Sequence, residues 1–215
     1  MTHVRLNVIV EGQTEQRFIE KVLAEHLGHH LIGATARAVE TSRGNKGGLT
    51  SYQKAKNDIQ RWLKEDKNAD VYFTTMFDLY GLPTDFPGYY EVLSYPPYER
   101  TEILEQKLSE DIADRRFIPY IQLHEFEALL FAAPEMLAYE YLGYESQIQQ
   151  LCQIGNAQNP ELINDGPTTA PSKRILSVIP AYQKAIGGID VASAIGVEKM
   201  RQRCRHFHKW LEKLE

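Results

Sequence analysis

The 215-residue chain predicts an α/β protein: a parallel sheet of about four strands flanked by helices, followed by a C-terminal helical extension. Two observations lead to that class. Strand-like and helix-like stretches alternate from residue 3 to 131, the pattern of βαβ units. Beyond 131 the pattern is helical without strands. This predicts a core over 1–131 and an extension over 132–215 packed on it as one compact unit. A third observation is chemical. Three strand-like runs each end on carboxylates: Glu11, then Asp78, then the pair Glu125 and Glu127.

Each element has its own warrant. Residues 3–10, which end in the apolar run Val8-Ile9-Val10, predict a strand. Residues 14–27 carry Phe18, Ile19, Val22, Leu23 and Leu27 at helical spacing, with Thr14 able to cap alone. A second strand is expected over 34–41, then a basic loop over 42–48. Residues 50–65 read as a helix with Tyr52, Ala55, Ile59, Trp62 and Leu63 on one side. Residues 70–77 are β-branched and aromatic, hence strand. The stretch 78–97 holds four prolines and two glycines and predicts a loop, ordered by its aromatics and long enough to be functional. A helix over 98–113, a strand over 116–123 and a helix over 125–131 that breaks near Pro134 complete the core. The extension contains a polar loop over 156–171 and ends in a basic amphipathic helix over 198–214.

Composition narrows the class of protein. Hydrophobic residues make up 43% and charged residues 25%, as in ordinary globular proteins. No apolar run approaches a membrane span. The strand-like start predicts no signal peptide. Cys152 and Cys204 form neither a disulfide framework nor a CxxC knuckle, so a cytoplasmic protein with reduced thiols is expected. The net charge is −5, yet residues 171–215 hold nine Lys and Arg against four Asp and Glu. A basic tail on an acidic body can set positive charge beside a metal-loaded cleft, which makes nucleic acid the expected partner. The same pattern also describes a plain solvated helix face.

Ligands of open parallel sheets bind outside the carboxyl ends of the strands. Acids delivered there by three segments suggest a divalent cation, Mg²⁺ or Mn²⁺. Mg²⁺ prefers oxygen ligands and keeps several waters, so one or two carboxylates and a substrate phosphate suffice. Glu11, Asp78, Asp85, Glu125 and Glu127 are the candidate ligands, enough for one metal or for two. The competing reading is that acids at strand ends cap the following helices. Glu11 and Glu125 fit that reading less well, because caps favour Asp over Glu. Arg43 and Lys46, in the loop 42–48, could hold phosphate with backbone amides, although no Walker motif is present. Ser172-Lys173-Arg174 could open a helix whose amides face an anion, the two cations adding phosphate contacts. His124-Glu125 lacks the second histidine of a zinc motif, since position 128 is Ala. Tyr89, Tyr90, Tyr95 and Tyr98 suit either base stacking or packing.

Val10-Glu11-Gly12-Gln13-Thr14-Glu15, followed by Phe18, resembles the opening motif of Toprim metal-binding domains. Those domains occur in topoisomerases, primases and the overcoming-lysogenization-defect nucleases. The whole chain resembles a bacterial Toprim-like family, the domain of unknown function DUF4276. The resemblance rests on Val10 to Glu15, Lys46-Gly47-Gly48, Phe77 to Pro83, Asp85 to Gly88, His124 to Phe131, Pro171 to Arg174 and Cys204 to Leu211. It implies that Glu11 is the acid/base or metal-linked glutamate and that Asp78 is the first aspartate of the Asp-x-Asp element. The second aspartate is replaced by Tyr80; Asp85, Glu125 or Glu127 could stand in for it. Related nucleases use a lysine to stabilise developing charge, and Lys173 is the candidate. The resemblance thus implies a metal-dependent nucleic-acid phosphodiesterase, in defence against phage or mobile DNA beside an ATPase partner. The alternatives are a non-catalytic subunit of an ATPase complex and a small-molecule phosphotransferase or phosphatase.

Overall fold

A computed structural model describes residues 3–39, 49–164, 166 and 168–215. It divides into two compact units, residues up to 122 together with Glu215, and residues 123–214. Sequence reasoning put the core boundary at 131; residues 123–131 group with the helices that follow them.

The first unit is the parallel sheet. Strand β1 (Val4–Val10) pairs with β2 (Ile32–Ala38) on one side and with β3 (Val71–Asp78) on the other. Two short strands, β4 (Phe117–Ile118) and β5 (Ile121–Gln122), lie along β3, so the order is β2-β1-β3-β4 with every pair parallel. Leu6, Val8, Ile9 and Val10 are buried in succession, as a central strand covered on both faces requires. The expected strand 116–123 is interrupted because Pro119 has no amide to give the ladder. Thr75 fills the gap: its hydroxyl accepts from the Tyr120 amide at 2.9 Å and donates to the Tyr120 carbonyl at 2.8 Å.

Between β1 and β2 the chain is helical over 13–28: α1 (Gln13–Phe18), a π-helical segment (Ile19–Leu23) and α2 (Ala24–Gly28). Phe18, Ile19, Val22, Leu23 and Leu27 are all buried, the predicted stripe. Helix α3 (Tyr52–Glu65) turns Ala55, Ile59, Trp62 and Leu63 into a core with Ile9, Phe73 and Phe77 of the sheet. Helix α4 (Pro97–Ile112) adds Leu104, Leu108 and Ile112 to that core. The stretch before α4 is a 3₁₀ turn (Leu79–Gly81) followed by successive turns, and its Phe86 and Val92 are buried in the same cluster.

The second unit is built of helices and turns, with no strand among its described residues. A 3₁₀ segment (Phe126–Ala132), buried at every position, stands where an α-helix was expected. A run that is apolar at every position but Glu127 carries no periodicity to separate the two forms. Helices α5 (Leu137–Glu140), α6 (Glu145–Ala157), α7 (Pro171–Val178), α8 (Gly187–Ile195), α9 (Val197–Arg203) and α10 (Arg205–Leu214) follow. The single terminal helix expected over 198–214 is therefore two. Cys204 is extended, and the buried Glu161 carboxylate accepts from the amides of His206 and Phe207, both at 2.9 Å, giving α10 an N-terminus of its own.

Asp85 does the same for α3. Its carboxylate accepts from the amides of Tyr52 at 2.9 Å and Gln53 at 3.3 Å and from the Ser51 hydroxyl at 3.0 Å. Removing these acceptors leaves helix-start amides without their carboxylate. Asp85→Ala is expected to lower the unfolding free energy by about 1–2 kcal/mol, the usual worth of a lost cap. Urea midpoints measure this, and an unchanged midpoint would contradict it.

Candidate active site

The strand order places the site. From β1 the sheet grows in one direction through β2 and in the other through β3, so β1 and β3 flank a topological switch point. Ligand crevices of open α/β sheets open at such points, beyond the carboxyl ends of the strands. Glu11 follows β1 directly and Asp78 is the last residue of β3. The two adjoin: Glu11 Oε1 accepts from the Asp78 amide at 2.8 Å. Glu11 Oε2 accepts from the Leu49 amide at 3.2 Å, just before α3. Asp78 is half-buried and Glu11 buried.

Burial pushes the Glu11 carboxyl up to about 7; the Asp78 and Leu49 amides pull against that rise, and the nearby Glu15 carboxylate adds to it. Glu15 is itself buried in the first turn of α1. Sequence reasoning passed over it as a site residue, although an acid one turn beyond Glu11 was the available signal. Tyr80 is 58% exposed, two residues past Asp78. Gly81 packs against the glutamate: a Cβ there would lie 3.4 Å from Glu11 Oε2.

Glu11 and Asp78 are the carboxylates that a divalent cation at this end of the sheet would use. Each Glu11 oxygen takes one amide and keeps a second lone pair. Two carboxylates with water and phosphate oxygens meet the needs of Mg²⁺. Asp85 is committed to the start of α3. Burial opposes its charge, but the Tyr52 and Gln53 amides and the Ser51 hydroxyl outweigh that and hold its carboxyl below the ordinary value. Among the described residues, the one group of three or more His, Cys, Asp or Glu whose ligand atoms all lie within 4.8 Å of one another is His26, His30 and Glu215.

The second unit has its own acidic cluster. Glu125 and Glu127 converge on an ammonium, Lys184 Nζ, at 3.1 and 2.9 Å. Glu125 also accepts from the Ser172 amide at 2.6 Å, at the start of α7, and Glu127 from the Tyr182 hydroxyl at 3.3 Å. Lys184 and Tyr182 carried no motif that singled them out. The cation held between this pair is thus a side chain of the protein itself. Lys173 is exposed on α7. Arg174 is half-buried, and its Nε donates to the Thr169 carbonyl at 2.7 Å. Arg43 and Lys46 lie outside the described residues. No described helix is long and apolar enough to cross a membrane.

A family model matches residues 10–215, the domain of unknown function DUF4276, and the chain belongs to that family. Among solved structures, the chain is similar to the C-terminal region of the Burkholderia pseudomallei OLD protein. That match has 16% identity, covers 99% of this chain and 98% of the other, and gives a TM-score of 0.49. It is similar to the same region of the Xanthomonas campestris pv. campestris OLD protein at 14% identity, covering 98% and 95%, with a TM-score of 0.41. No curated protein matches.

Burial raises the Glu127 carboxyl to about 7, Lys184 opposing the rise and Glu125 adding to it. An unfolded glutamate titrates at about 4.3. The folded unit therefore holds this proton more tightly, and stability falls as pH climbs from roughly 4 to 7. For one carboxyl with this shift the fall is on the order of 3 kcal/mol. Glu127→Gln can still accept from Lys184 and donate to Tyr182. It should flatten this part of the stability–pH curve, read as urea midpoints; an unaltered slope would place the Glu127 titration in its ordinary range.

Proposed function

We propose that the Glu11–Asp78 crevice is the catalytic centre of a divalent-metal-dependent nuclease. The observation that carries the reading is geometric: a buried carboxylate at the switch point of a parallel sheet accepts from the amide of the aspartate that ends the neighbouring strand, and burial there raises its carboxyl to about 7. A general base works best when its pKa lies near the working pH. Glu11 and Asp78 would hold Mg²⁺ or Mn²⁺, which supplies charge neutralisation at the phosphate when bound. Glu11 takes a proton from the attacking water. The Asp78 amide and the Leu49 amide fix the orientation of its carboxylate. The resemblance of Val10 to Glu15 to the Toprim motif supports the same assignment.

The lysines and arginines of 171–215 other than Lys184, which Glu125 and Glu127 hold, favour a polymeric, anionic substrate over a small phosphate ester, and Lys173 and Arg174 are the phosphate contacts proposed first. Defence against invading DNA beside an ATPase partner is the proposed setting. A second reading, a non-catalytic module of such a complex, draws on Tyr80, which stands where the motif would place a second acid.

Asp78→Asn should abolish Mn²⁺-dependent nicking of plasmid DNA and the calorimetric binding of Mn²⁺ by the purified protein. Glu11→Gln should lower the nicking rate about 10²–10⁴-fold, the usual contribution of a general base. At saturating metal the wild-type rate should rise with pH through a midpoint below about 7, because a bound cation favours the Glu11 carboxylate over the metal-free group. Metal binding without nicking would favour the non-catalytic module; nicking that survives Asp78→Asn would remove this site from the chemistry.

A further inference from the structure

Two imidazoles and a carboxylate converge at the end of α2, in residues the crevice does not use. His26 lies in α2 and His30, four residues on, in the turn that follows it, where the His30 amide still reaches the Leu27 carbonyl at 2.9 Å and keeps the two rings on one side. Their centroids are 5.5 Å apart. Both Nε2 atoms face one oxygen: Glu215 Oε1 lies 2.9 Å from His26 Nε2 and 3.8 Å from His30 Nε2. The shorter distance is a hydrogen bond and the longer exceeds one. With zinc bonds of about 2.0–2.1 Å, ligand atoms of a tetrahedron stand about 3.4 Å apart. The two observed distances bracket that edge, so small side-chain rotations bring all three atoms onto one ion.

We propose that His26, His30 and Glu215 bind Zn²⁺ or a neighbouring borderline divalent ion such as Co²⁺. Imidazole nitrogen with one carboxylate suits these ions, whereas Mg²⁺ requires an all-oxygen set. The ion binds the Nε2 lone pair of each neutral ring, whose proton then sits on Nδ1, and links Glu215 to α2. The side chains of His26 and Glu215 are 14% and 16% exposed and that of His30 is 41% exposed. The site is thus sheltered on two ligands and open at the third, where water completes a fourth position. Three protein ligands and one water are the pattern of open zinc sites.

The test is equilibrium dialysis of the full chain against Zn²⁺, with Co²⁺ titration read by its visible ligand-field absorption. One tight equivalent of Zn²⁺ should bind with Mg²⁺ present in excess to occupy the Glu11–Asp78 site. Co²⁺ should show the intense bands of four-coordination, and Zn²⁺ should displace it. His30→Ala and Glu215→Gln should each weaken binding at least about 10-fold. His29→Ala, one residue away on another face, should not. Asp78→Asn should leave Zn²⁺ binding intact, which separates this site from the crevice. Wild-type stoichiometry retained in His26→Ala/His30→Ala, or no Zn²⁺ uptake by the wild-type chain, would overturn the proposal.

Discussion

The first unit depends on one carboxylate. Glu11 accepts two backbone amides, from the last residue of β3 and from the approach to α3, and so joins three segments at the carboxyl end of the central strands. Its burial raises the cost of its charge, since little water remains to solvate it. The same contacts that organise the crevice thus leave a carboxyl whose protonation changes near neutrality. The fold supplies an acid/base group by the way it satisfies its own backbone.

Buried glutamates recur as amide acceptors in both units. Glu105 accepts from the Ile121 amide at 2.9 Å, Glu125 from Ser172 at 2.6 Å, and Glu161 from His206 and Phe207 at 2.9 Å each. Each serves an element start or a strand, where amides lack partners in their own element. This pattern sets a demanding comparison for any catalytic assignment, because a buried acid in this chain is first a structural one. Glu11 differs in place: it sits at the switch point, beside a second acid that ends the neighbouring strand. Glu125 and Glu127 differ in partner, since an ammonium from α7's own unit already stands between them.

Much of this was legible in the sequence. The β-branched runs, the helical stripe of Phe18 to Leu27 and the acids at the ends of β1 and β3 all read correctly, because local pattern and tertiary burial agree there. Asp85 did not, because its role arises from a contact with Ser51, Tyr52 and Gln53, more than thirty residues away. Lys184 was illegible for the same reason. The split of the expected strand at Pro119 and of the last helix at Cys204 came from distant partners, Thr75 and Glu161, that no window of sequence contains.

The most direct test is the titration of the Glu11 carboxyl itself, followed by ¹³C NMR on glutamate-labelled protein and assigned by the resonance lost in Glu11→Gln. The account predicts a midpoint of about 7. A midpoint near the ordinary value of about 4.3 would show a solvated carboxylate and contradict it.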